Sequence, residues 1–168
     1  MEQWDAYTRD GQLAGETLTR GKQIPNGLYH LVCEVLVKHV DGSYLCMKRA
    51  VSKPDYPGYF EATAGGSALI GENKMQCIQR ELEEETGILC DEFVEIGHKI
   101  CDEEHCIFYS FICMVDCDKN SVALQENETE GYKWMTETEF IDFVNSSDMI
   151  ESQKKRYFHY FASLHYLK

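Results

Sequence analysis

The sequence predicts an α/β chain of the α+β kind, a mixed β-sheet packed between helices. Three observations carry this prediction. The 168 residues suit one domain around one core. Short apolar runs bounded by turn residues recur along the chain, as strands do. Few segments, by contrast, have helical periodicity. Hydrophobic residues make up 43% and aromatics 12%, enough to bury a core.

Taken in order, Trp4 to Arg9 and Gln12 to Arg20 flank Asp10-Gly11 and read as an N-terminal hairpin within residues 1–27. Pro25-Asn26-Gly27 is a second turn. Leu28 to His39, rich in Leu and Val, is predicted as a central strand, and Asp41-Gly42 turns it into a partner, Tyr44 to Arg49. Pro54 and Pro57-Gly58 mark a loop, and a short strand is expected over Phe60 to Ala64. A helix follows from Asn73 to Thr86, then strands over Phe93 to Ile100 and Cys106 to Val115. Tyr132 to Met135 is a short strand. Thr136 and Glu139 form a capping box that starts a helix at Phe140 and Ile141. The tail, residues 151–168, reads as a helix whose aromatic face, with Tyr157, Phe158 and Phe161, is core or a homodimer contact. The hairpin is a second plausible dimer surface.

Net charge is −13. So acidic a surface repels phosphate backbones, which excludes nucleic acid as the expected partner and favours cations. No apolar run is long enough to span a bilayer. The start, Met1-Glu2-Gln3-Trp4-Asp5, lacks the basic and apolar stretches of a secretory signal, so a cytoplasmic location is expected. The eight cysteines include no Cys-x-x-Cys pair and read as free thiols acting as small hydrophobes.

The chemistry is concentrated on the Asn73–Thr86 helix. Asn73 and Gln76 form a capping box, and Gly87 stands where a left-handed C-terminal residue is needed. Met75, Ile78 and Leu82 lie on one stripe and face the core. Glu81, Glu84 and Glu85, at i, i+3 and i+4, cluster beside it, while Glu83 points to solvent. Each like-charged pair costs about 0.2–0.5 kcal/mol, and the C-terminal half of a helix is the wrong end for negative charge. A hard divalent cation reverses the sign of that effect.

The helix belongs to a longer pattern: Gly66, five residues, Glu72, seven residues, then Arg80-Glu81-Leu82-x-Glu84-Glu85-x-Gly87-Ile88. Seven of these positions, at average usage, already arise by chance only about once in 10⁸ start sites. The pattern over residues 66–88 resembles the signature box of Nudix hydrolases. Trp4-Asp5, Asp10-Gly11, Arg20, Pro25, Gly27 and His30 look like the isopentenyl-diphosphate-isomerase-like branch of that superfamily. The resemblance implies one Nudix domain and a Mg²⁺- or Mn²⁺-dependent hydrolase that cuts the diphosphate linkage of a small-molecule substrate. By resemblance Glu81 and Glu85 are metal ligands, joined by Glu84 and by the backbone carbonyl of Gly65. Gly66 allows close backbone approach, and Glu72 pairs with Arg80 to hold the loop. Glu84 is one candidate base. Glu128 is either a late catalytic acid or a solvated loop acid.

Lys48 and Arg49 either reach a substrate phosphate or are exposed strand-end charges. Tyr59 and Phe60 either line the pocket for the rest of the substrate or pack in the core. Two rival readings are an isomerase of isopentenyl diphosphate and a binding module without turnover. The isomerase carries a Cys and a His where this chain has Gly65 and Ser67, and neither of these can protonate an alkene. The sensor reading sits poorly with an intact set of glutamates.

Overall fold

The structure, a computed structural model, describes residues 1–168. Strands β1 (Gln3–Tyr7) and β2 (Leu13–Thr19) form a separate antiparallel hairpin. A seven-stranded sheet contains β3 (His30–His39), β4 (Tyr44–Arg49), β5 (Phe60–Glu61), β6 (Ala64–Ser67), β7 (Val94–Cys101), β8 (Cys106–Val115) and β9 (Thr129–Met135). Its spine runs β5-β4-β3-β8-β7, with β6 on β3 and β9 on β4. β3 and β8 run parallel from His30 opposite Cys106 to His39 opposite Val115. The other pairings are antiparallel, so the sheet is mixed as predicted.

The helices α1 (Lys74–Thr86), α2 (Glu137–Val144) and α3 (Glu151–Ser163) cover both faces. Strand alternation distributes β3 between the two layers. Val35 and Val37 join Cys77, Ile78 and Leu82 of α1 in one core. Leu36 joins Phe140 of α2 and Tyr157 and Phe161 of α3 in the other. A strand buried on both faces reads as a continuous apolar run, which is how β3 reads. No helix is long and apolar enough to cross a membrane. All eight cysteines are free.

Three expectations need correction. The Phe60–Ala64 strand divides: β5 pairs with β4 through Phe60 and Glu61, whereas β6 begins at Ala64 and pairs with β3. β6 has the sequence Ala-Gly-Gly-Ser, with no β-branched residue, so its pairing with β3 makes it a strand. The Tyr132–Met135 strand starts earlier, at Thr129. The tail helix stops at Ser163, His165 takes a left-handed backbone with φ 59°, and Tyr166 returns to meet Tyr44, hydroxyl to hydroxyl at 2.8 Å. The aromatic face of α3 is core through Tyr157 and Phe161, while Phe158 is exposed.

From this far layer α3 holds β3 and the link between β5 and β6 by hydrogen bonds. The Gln153 amide accepts from Ala62 N–H at 3.0 Å and donates to the Ala62 carbonyl at 3.2 Å. Arg156 grips buried Glu34 of β3 with two bonds of 2.9 Å, and Ser110 donates to the same carboxylate at 2.7 Å. Glu34 stands opposite Gly65 in the β3–β6 register.

Candidate active site

The site is built on the turn from β6 into α1. Asn73 caps α1 by accepting from the Met75 and Gln76 amides, and Gln76 returns a bond to Asn73 N–H. Gly87 closes the helix in the left-handed conformation (φ 71°) and donates to the Glu83 carbonyl at 2.8 Å. Ahead of the cap, Glu72 accepts from Leu69 N–H at 2.8 Å and receives two Arg80 bonds of 2.6 and 2.9 Å. The same guanidinium donates to the Ser67 carbonyl at 3.1 Å, to Glu81 at 2.7 Å and to Glu84 at 3.2 Å. All its nitrogens are therefore engaged. The Arg80 guanidinium holds the Glu72 carboxyl below its ordinary value, and its own pKa is raised, chiefly by Glu72.

Two glycines are required by proximity rather than by φ. A Cβ on Gly66 would lie 2.4 Å from Oε1 of Glu81, so the carboxylate rests directly on the backbone. A Cβ on Gly65 would lie 2.6 Å from the Cys33 carbonyl oxygen, across the β3–β6 pairing. Gly65 N–H donates to Glu85 at 3.3 Å.

Glu81, Glu84, Glu85 and Glu128 line one cleft of about 230 Å³. Burial pushes the Glu81 carboxyl up, and the Arg80 guanidinium opposes it. Glu85 is raised well above the usual carboxylate range, first by burial and then by the charges of Glu61 and Glu81. It opens partly onto the cleft, yet protein atoms enclose its carboxyl, and no basic side chain pairs with it. No three acids of the cleft already stand in a metal-ligating arrangement. Arg80 holds Glu81 and Glu84, and Lys53 holds Glu128. The donors nonetheless fit a hard divalent cation: several carboxylate oxygens, a glycine backbone that lies against one of them, and an enclosed acid that lacks a counter-charge.

The remaining predicted residues are placed as follows. Glu128 lies in the cleft, paired with Lys53. Lys48 is turned to Glu130 at 2.8 Å, and Arg49 is bound to Glu61 and to the Asp55 carbonyl. Tyr59 and Phe60 are not part of the acidic cleft. They border a separate hollow of about 730 Å³ beside β9 and α2. Alternation along β5 explains this: Phe60 packs on the α2–α3 core, while the charge of Glu61 acts on Glu85. Sequence reasoning missed Glu61, although strand alternation would have opposed it to Phe60. It also missed Glu2 and Lys53 and gave Arg20 no place in the site; these residues line the cleft from the hairpin and from the loop after β4.

A mixed sheet between helices, with an arginine-braced acidic helix entered through paired glycines, is the arrangement that comparison with known proteins places among Nudix domains. Residues 29–161 match the family profile described as NUDIX domain, and the chain belongs to that family as a Nudix hydrolase. It is 32% identical over 151 residues to the Nudix hydrolase lmo0368 of Listeria monocytogenes, covering 89% of each chain. Its fold is similar to that of DR0079 from Deinococcus radiodurans, with a TM-score of 0.68 at 15% identity, covering 85% of this chain and 88% of that one. The MutT protein from Methanosarcina mazei Go1 gives 0.62 at 20% identity, over 82% of this chain and 95% of that one.

Proposed function

We propose that the protein is a Mg²⁺- or Mn²⁺-dependent hydrolase of a diphosphate linkage, with Glu81, Glu84, Glu85 and the Gly65 carbonyl as metal-holding groups. The carrying observation is Glu85: an enclosed carboxylate beside two others, with no basic partner. A bound divalent cation supplies charge neutralisation at the diphosphate oxygens and acidifies an attacking water. Glu81 and Glu85, whose carboxyls are largely enclosed, bind and orient. Glu84 is exposed and tied by one 3.2 Å bond, so it is free to swing and take the proton of the water. Glu128 is the second candidate base, and it must first part from Lys53. Glu72 and Arg80 position the loop and the glutamates and do not react. Gly66 and Gly87 shape the turn and the helix end. Lys48 and Arg49 are engaged by Glu130 and Glu61 and do not line the cleft, and Lys53 is the basic residue after β4 that faces it.

The cleft is smaller than the roughly 300 Å³ at the low end of pockets for drug-sized ligands. It suits the diphosphate, with the rest of the substrate outside. The isomerase reading requires an acid at Gly65 or Ser67, and β6 offers none there.

The test is a turnover screen with Mg²⁺ over nucleoside triphosphates, ADP-ribose, dinucleotides, coenzyme A and prenyl diphosphates. Phosphate or nucleoside monophosphate should be released, and Glu85→Gln should abolish the release. Conversion of isopentenyl to dimethylallyl diphosphate, or binding without turnover, would overturn the proposal.

A further inference from the structure

The hairpin β1–β2 lies ahead of residues 29–161, the span matched by the family profile. Even so, it is fixed to the catalytic loop and opens onto the cleft. Gln3 accepts from Ile70 N–H at 3.0 Å, and Asp5 accepts from Gly71 N–H at 2.7 Å, both in the segment that leads into α1. Trp4 stacks on His30 with centroids 4.1 Å apart. At the far end Arg9 holds Asp102, beyond β7, through bonds of 2.9 and 3.0 Å, and Tyr29 donates to the same carboxylate at 2.6 Å. Anchored at both ends, the hairpin presents Glu2 and Arg20 as walls of the cleft that holds Glu81 and Glu85. The charge of Glu2 reaches Glu81, adding to the upward push on its carboxyl.

The three basic side chains of the cleft differ in what they have left to give. Arg80 is saturated by Glu72, Glu81, Glu84 and the Ser67 carbonyl. Lys53 is committed to Glu128. Arg20 makes one side-chain bond, Nη1 to Glu2 at 3.0 Å, and its side chain is 65% exposed. Its backbone N–H is fixed to the Glu2 carbonyl at 3.0 Å, so the stem is placed while the guanidinium fork keeps free donors. A fork on a fixed stem, facing a cleft that takes a diphosphate, matches the bidentate geometry of phosphate recognition.

We infer that the N-terminal hairpin is part of the substrate site and that Arg20 is the residue by which it grips the diphosphate oxygens, with Glu2 as the internal partner that the substrate displaces. This rests on the diphosphate-hydrolase reading above.

The test uses the full chain and inorganic pyrophosphate as a calorimetric probe with and without Mg²⁺, alongside KM and kcat on whichever diphosphate turns over. Arg20→Ala should weaken pyrophosphate binding and raise KM by about tenfold or more, leaving kcat within about threefold; Arg20→Lys should fall between. Glu2→Gln breaks the same ion pair but removes a competitor, so it should retain or improve binding. If Arg20 only braces the hairpin, Glu2→Gln and Arg20→Ala will weaken binding alike, and the inference fails. It also fails if neither variant changes binding, or if the wild type does not bind pyrophosphate. A wild type that binds pyrophosphate through Arg20 but cleaves no diphosphate sinks the hydrolase reading alone.

Discussion

Replacing Glu85 by Gln should stabilise the metal-free protein while destroying its activity. The carboxyl is enclosed among Glu61 and Glu81, and its one hydrogen bond, from Gly65 N–H, can be kept by the Gln carbonyl oxygen. Its folded pKa is raised, so ionisation opposes folding. That penalty is absent below the ordinary carboxylate value near 4.5, grows as pH rises from there to the folded value, and is complete above it. Near neutral pH the substitution removes that penalty, a change of about 1–3 kcal/mol. For a domain of this size it raises Tm by roughly 2–12 °C. Thermal melts in EDTA at about pH 7 should show this gain, and it should shrink toward about pH 5. Added Mg²⁺ should raise the wild-type Tm by mass action and leave the variant nearly unmoved. Turnover should fall by about 10²–10³. A Glu85→Gln protein that melts at or below the wild type in EDTA would refute the claim that this acid is strained by its neighbours.

The two glycines of β6 should fail in different ways. In Gly66→Ala the new methyl meets the movable end of Glu81, so activity should drop about 10–100-fold with a nearly native melt. In Gly65→Ala it meets the Cys33 backbone, so melting should fall by several degrees before kinetics can be compared. His30 makes the fold acid-sensitive. Burial lowers its pKa from 6.5 to about 4, so it contributes stability above about pH 6.5 that is lost as pH falls toward about 4. The loss approaches about 3 kcal/mol. Trp4 fluorescence melts between those limits should show it, and His30→Phe should flatten the slope.

Most of α1 was legible because its signals are local. Asn73, Gln76 and Gly87 mark its ends, and Ile78 and Leu82 mark its buried stripe. The central strands were legible because burial on both faces leaves a long apolar run in β3. Other features depend on contacts distant in sequence. Ala64–Ser67 becomes a strand only through its pairing with β3. Glu72 and Arg80 met as the box resemblance implied, but Lys48 and Arg49 found carboxylates of their own, Glu130 and Glu61, and do not line the cleft. Glu2 and Arg20 are separated by more than forty positions from Gly66, and no period or spacing links them to it.

The grip of α3 on Ala62 and Glu34 has a consequence for how the enzyme matures. Gln153 holds Ala62, just before β6, and Arg156 holds Glu34, which pairs with Gly65. A nascent chain can lay down the box and its helix early. The hydrogen bonds from α3 to Ala62 and Glu34 come only with these late side chains. A chain cut short before Gln153 would keep Glu81, Glu84 and Glu85 and lose the support that α3 gives to the backbone on either side of Thr63 and to the strand opposite Gly65.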